Sequence, residues 1–167
     1  MVGGKLIALI RDRRAAAAAE MALVLPPLMV LMFGSFELGR FFLDEHVVAK
    51  AVRDGARYAA RQNFTNYSDC SAVPAGVLTN IRNLTRTGKV VSGGAARLSY
   101  WTNPATITVS VSCVAPGTYR GIYTGASNVP IVTVSAVVPY TPLFGSIGFN
   151  VSGLKLNARS QSAVMGI

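Results

Sequence analysis

Hydrophobic and polar positions follow three different rules along this chain. From Ala15 to Phe36 there is no period at all: every residue is apolar or small except Glu20 and Ser35, and Glu20 is the single charge. A helix that is apolar all round is suited to lipid or to a deep core. At ~1.5 Å per residue this run is roughly 33 Å long, enough for a ~30 Å hydrocarbon layer. No second run of comparable length occurs, so one membrane pass is expected.

From Glu37 to Arg61 the pattern becomes helical. Phe41, Val48, Val52, Ala56 and Ala59 fall on one stripe, while Asp44, Lys50, Arg53, Asp54, Arg57 and Arg61 occupy the remainder. No proline intervenes there, which predicts one helix over residues 16–62, about 70 Å long at the same rise. Pro26 and Pro27 sit inside its first half. Each removes a hydrogen bond and crowds the preceding turn, so a kink or a locally melted turn is expected.

After a turn-rich break at 63–74, Ala75 to Thr87 reads as a short helix with Val77, Leu78, Ile81 and Leu84 on one face and Gly88 as its stop. The rest alternates with period two. Ile107, Val109, Val111 and Cys113 oppose Thr106, Thr108, Ser110 and Ser112, a half-buried strand. Val129 to Tyr140 and Leu154 to Val164 read as further strands, the latter with Leu154, Leu156 and Ala158 inward. "RLSYW" (97–101) is a candidate strand that pairs across Asn103-Pro104. The expectation is an α+β fold: three or four antiparallel strands, with their apolar face covered by the amphipathic half of the long helix. The domain plan is a leader at 1–15, the long helix at 16–62 and a globular α+β domain at 63–167.

Charge gives the chain a direction. Lys5, Arg11, Arg13 and Arg14 precede the apolar run, whereas Glu37, Asp44 and Glu45 follow it with one arginine, Arg40. The positive-inside bias places the N-terminus in the cytoplasm and the domain on the far side of the membrane. The competing reading is a secretory signal peptide, with 11–14 as the basic region and 22–33 as the apolar one, but "FGSFELGRFF" offers a poor cleavage site. Cys70 and Cys113 both lie in the domain, so a disulfide is expected in an oxidising compartment, two independent thiols being the alternative.

The net charge is +9, and after Asp69 there is no acidic residue while Arg82, Arg86, Lys89, Arg97, Arg120, Lys155 and Arg159 accumulate. Such a surface suits anionic lipid, envelope polysaccharide or nucleic acid, or is simply a solvated basic face. Tyr100, Trp101, Tyr119 and Tyr123 could stack on bases, yet they fall in segments that read as strand or loop core, so nucleic acid is not the expected partner.

Catalytic groupings are missing from the sequence. His46 is the lone histidine, among Asp44 and Glu45, and reads as a helix-surface residue; with no second histidine and no cysteine cluster, neither a metal site nor a cofactor is expected. The N-x-S/T matches at Asn63, Asn66, Asn83 and Asn150 matter only where glycosylation occurs. An enzyme is not expected.

A short basic leader, small residues, and an apolar helix with a glutamate one turn in is the layout of type IV prepilins. "RRAAAAAEMALVLPPLMVLMFGSFELGR" followed by "VAKAVRDGARYAAR" resembles the TadE-like minor pilins and pseudopilins of the tight-adherence (Tad, or Flp) pilus. The matching residues are Ala16 to Glu20, Ala22 to Pro26, Phe33 to Arg40 and Gly55-Ala56-Arg57-Tyr58-Ala59. The resemblance is specific over 13–61 and only general beyond. Ala15 stands where glycine is usual before the cut, and Met21 replaces a common aromatic.

The resemblance implies cleavage between Ala15 and Ala16 by a membrane-embedded prepilin peptidase, leaving Glu20 as the fifth residue of the mature chain. It implies that Glu20 pairs with the N-terminal ammonium of a neighbouring subunit, a register device because a misplaced neighbour leaves the charge uncompensated. A glutamate at the membrane interface beside Arg13 and Arg14, with no partner, is the plainer alternative. Other pilin or pseudopilin subunits and the Tad assembly platform are the implied partners. The implied setting is the bacterial inner membrane and periplasm, with possible export into the pilus, in surface adhesion and biofilm formation.

Overall fold

A computed structural model describes residues 13–114, 121–125, 127–145 and 153–166. Helix α1 spans Arg13–Ala60, 48 residues. It runs unbroken through Pro26 and Pro27, so no turn is melted there. The two rings still lack N–H groups, which leaves the carbonyls of Ala22 and Leu23 without their usual helical donors. The helix stops two residues short of the expected 62, where its end tightens: the Arg61 N–H donates to Tyr58 O at 3.2 Å and the Gln62 N–H to Ala59 O at 3.1 Å, and outside donors join them. The Tyr67 hydroxyl donates to Ala59 O at 2.9 Å, and the Met165 N–H donates to Ala60 O at 2.8 Å.

The predicted stripe is the buried one. Val48, Val52, Ala56 and Ala59 are essentially inaccessible, joined by Ala51 and Ala60, with Phe41 packed at the edge. Helix α2, Ala75–Thr87, follows a 3-10 turn at Phe64–Tyr67. It buries Ile81 and Thr85, half-buries Val77, Leu78 and Leu84, and closes on Gly88 in the left-handed region (φ 79°), whose N–H reaches Leu84 O.

Among the described residues three antiparallel strands form one sheet in the order β1-β2-β3: β1 is Ile107–Val114, β2 is Val129–Pro139 and β3 is Lys155–Ala163. The register sets Val109 opposite Val134 and Ala136 opposite Ala158, so one face carries Ile107, Val132, Val134, Ala136, Val138 and Leu156 toward α1. The architecture is α+β, with the domain-facing half of α1 packed against β3, β2 and α2.

Two strand expectations need correction. Residues 97–101 form a turn, not a strand: the Trp101 N–H donates back to Leu98 O at 2.9 Å, and both side chains are buried. Leu154 does not point inward; it is exposed ahead of β3, where its carbonyl accepts from the Tyr140 N–H, while Leu156 and Ala158 face the helix as expected.

The Cys70–Cys113 bridge forms, with a Cα–Cα distance of 5.6 Å. It ties the segment after α1 to strand β1 across 43 residues. In the chain-entropy model, a closure of that length contributes about 4 kcal/mol.

Candidate functional site

The N-terminal half of α1 stands clear of the domain. Leu23 is 77% exposed, Leu28 60% and Leu31 71%, and none of the residues from Ala16 to Met32 is buried. The helix is long and apolar enough to cross a membrane, and the most apolar stretch is wholly unburied within the fold. Water is a poor solvent for such a surface, and a lipid layer a good one.

Glu20 lies at the start of this rod, exposed, with no partner among the described residues. Ala16 is likewise exposed on helical backbone, and Ala15 is within the same helix. Residues 1–12 of the leader lie outside the described residues.

Where the rod meets the domain, the sequence reading missed a residue. Glu37 is the first charge after Glu20, yet it is only 8% exposed. Its carboxylate accepts from the Tyr140 hydroxyl. It also accepts from the Leu143 N–H, at 3.1 Å to either oxygen, and from the Phe144 N–H at 3.2 Å. One carboxylate thus collects donors from the end of β2 and the loop after it, and these convert a costly buried charge into a satisfied one.

Aromatic rings surround the junction. Phe144 lies 4.9 Å from Phe33 between centroids, Phe41 5.2 Å from Tyr140, and Tyr100 6.2 Å from Tyr140. A turn further along α1, the Tyr100 hydroxyl donates to Asp44 at 2.7 Å, and Arg40 stands 3.8 Å from the same oxygen. Burial, then the bond to Asp44, raises the Tyr100 phenol above its ordinary range. A signal for Glu37 existed: it precedes Phe41 by four residues and so extends the buried stripe by one turn.

The motif Gly55 to Ala59 proves to be a packing surface. A Cβ on Gly55 would lie 2.1 Å from Thr85 Oγ1, so only glycine lets α2 approach this closely. Ala56 and Ala59 are buried, Tyr58 is half-buried, and Arg57 is exposed near the helix end, where a cation complements the helix dipole. Asp54 next to the motif receives Arg97 Nη2 at 2.9 Å, tying α1 to the segment after α2.

The remaining candidates do not converge. His46 is exposed on α1, and no cluster of three or more metal-ligating side chains exists among the described residues. Trp101 is buried with its indole N–H on Thr106, and Tyr100 is engaged by Asp44, so neither presents a ring to a base. Tyr119, Arg120 and Asn150 lie outside the described residues. Asn63 caps the 3-10 turn by accepting from the Thr65 N–H, and Asn83 donates to Val90 O. A cleft of about 340 Å³ lies beside the disulfide, lined by Phe64, Tyr67, Ser68 and Asn128 among others, with no charged side chain among the described lining residues. The candidate functional surface is therefore the rod and its junction with the domain.

Residues 15–57 match the family model described as TadE-like protein, the same family that the N-terminal wording resembles. The match covers the rod, Glu37 and the first part of the Gly55 motif, and stops before α2 and the sheet. Among curated proteins and among solved structures, nothing matches the chain.

Proposed function

We propose, taking this TadE-like helix as the premise, that the protein is a non-catalytic minor pilin or pseudopilin of a Tad-type pilus. In this role it is held in the inner membrane by α1 before assembly and packs that helix against other subunits afterwards. The observation that carries the reading is the exposed rod: a helix apolar on every side, bearing one carboxylate near its start, on a small α+β domain. The rod has two solvents available, lipid and the helices of other subunits, and both suit the same side chains.

The cytoplasmic N-terminus and the domain on the outer side follow from the flanking charges. Prepilin peptidase cuts between Ala15 and Ala16 and exposes a new ammonium. Glu20, four residues on, then sits where a neighbour's ammonium offsets its cost in an apolar bundle. The open position of Glu20 in the isolated chain leaves it available for such a contact.

The test is N-terminal analysis of the protein from its host together with Glu20→Ala. A mature chain starting near Ala16 is expected, with Glu20→Ala cleaved normally but failing to support pili. An intact N-terminus in the presence of the peptidase would instead favour an unprocessed single-pass protein with a basic, ligand-binding domain. Normal piliation by the variant would remove the register role.

A further inference from the structure

Because Glu37 is hidden, the lipid-facing surface of α1 need not end at Phe36. Beyond it, on the side of α1 turned away from the domain, come Leu38 (56% exposed), Phe42 (52%) and Leu43 (67%). The character then reverses: His46, Lys50, Arg53 and Arg57 are the next exposed side chains of that side. Arg40 and Asp44 lie on the flank and pair with each other. The uninterrupted apolar surface therefore runs from Met21 to Leu43, about 35 Å at ~1.5 Å per residue. That is one residue longer than the 15–36 run and is shifted outward by nearly two turns, and it places Glu20 at the inner edge of the hydrocarbon instead of inside it.

The loop after β2 goes with this shift. It lies against the helix at the level of Phe33 and Glu37, within the apolar surface. Leu143 is 57% exposed, and the Phe144 ring lies tilted against Phe33. Irregular backbone is tolerated near hydrocarbon only where its polar groups are satisfied from within the protein. Glu37 satisfies two of them, the amides of Leu143 and Phe144.

We infer that the domain is seated on the bilayer, with Leu43 marking the domain-side boundary of the span, the loop 141–145 lying in the interfacial lipid, and Glu37 acting as its buried amide acceptor. The partner of this surface is the acyl and headgroup boundary of the lipid layer, because the surface continues the spanning segment without a break. The inference rests on the membrane-spanning reading of α1 and not on the pilus role.

Nitroxide labels on the full chain, with the native disulfide kept oxidised, test it in phosphatidylcholine–phosphatidylglycerol vesicles. The sites are Met29→Cys, Leu43→Cys, His46→Cys, Thr124→Cys and Leu143→Cys; all five side chains are exposed, so labelling removes no packing. The ratio of collisions with oxygen to collisions with a water-soluble nickel chelate is expected to be several-fold higher at 29, 43 and 143 than at 46 and 124. An aqueous ratio at 43 or at 143, with a lipid ratio at 29, overturns the inference and leaves the span intact. An aqueous ratio at 29 overturns both.

Discussion

Gly55 is a residue whose identity is tightly fixed by its surroundings. Its missing side chain makes room for Thr85 Oγ1, which itself donates to Ile81 O at 2.7 Å inside α2. Gly55→Ala favours an isolated helix by up to about 1 kcal/mol, but here the added carbon meets an oxygen at 2.1 Å. Overpacking of a well-filled site costs about 1–3 kcal/mol, so the sum is a loss. A lower thermal midpoint is expected for Gly55→Ala in detergent. Thr85→Ala in the same chain should recover most of it, since the next nearest atom, Thr85 Cβ, stands at an ordinary 3.4 Å. Equal midpoints for the single and double variants would show that the close approach is not what constrains this position.

The decisive contact between elements is the one between α1 and the loop after β2. Glu37→Ala removes the acceptor of two amides and a hydroxyl at once, and each buried polar group left unsatisfied costs about 1–3 kcal/mol. Amide hydrogen exchange should accelerate at Leu143 and Phe144 while β2 and β3, held by their own ladder, stay protected; unchanged exchange in the loop would mean that other contacts hold it. The elements were most legible beforehand where a period is clear. The α1 stripe repeats at three and four, and β1 alternates at two over eight residues. "RLSYW" misled because it is too short for a period to declare itself. Its buried members, Leu98 and Trp101, are three apart, the spacing of a turn and not of a strand. Glu37 was missed for another reason, although its place four residues before Phe41 continues the stripe. A charge at the end of an apolar run reads as the point where lipid stops, and the contacts that cover it lie more than 100 residues away in sequence.

At the scale of the whole molecule, stability divides unequally. The rod contributes nothing to the core, so cooperative unfolding belongs to the second half of α1, α2 and the sheet. Tyr67 reports on that unit. It is buried, its hydroxyl caps α1 through Ala59 O, and burial, helped by Tyr58, pushes its phenol from 10.0 up to about 12. A raised value means that the folded state keeps the proton which the unfolded chain releases. The stabilisation is full below pH 10 and is lost as the pH rises from there through about 12. Alkaline unfolding in that window is expected, and in Tyr67→Phe the fall over the same window should be shallower. The variant should also start lower by about 1 kcal/mol for the lost hydrogen bond. Identical slopes for the two proteins would assign the alkaline loss to other groups.

The bridge between Cys70 and Cys113 has a consequence for the life of the chain as well as for its fold. It joins the segment leaving α1 to the first strand, so the domain gains its full strength only where thiols are oxidised. In the proposed topology, a copy threaded the wrong way through the bilayer would leave its domain reduced, looser by about 4 kcal/mol and open to proteolysis, so the disulfide would make the proposed orientation the longer-lived one.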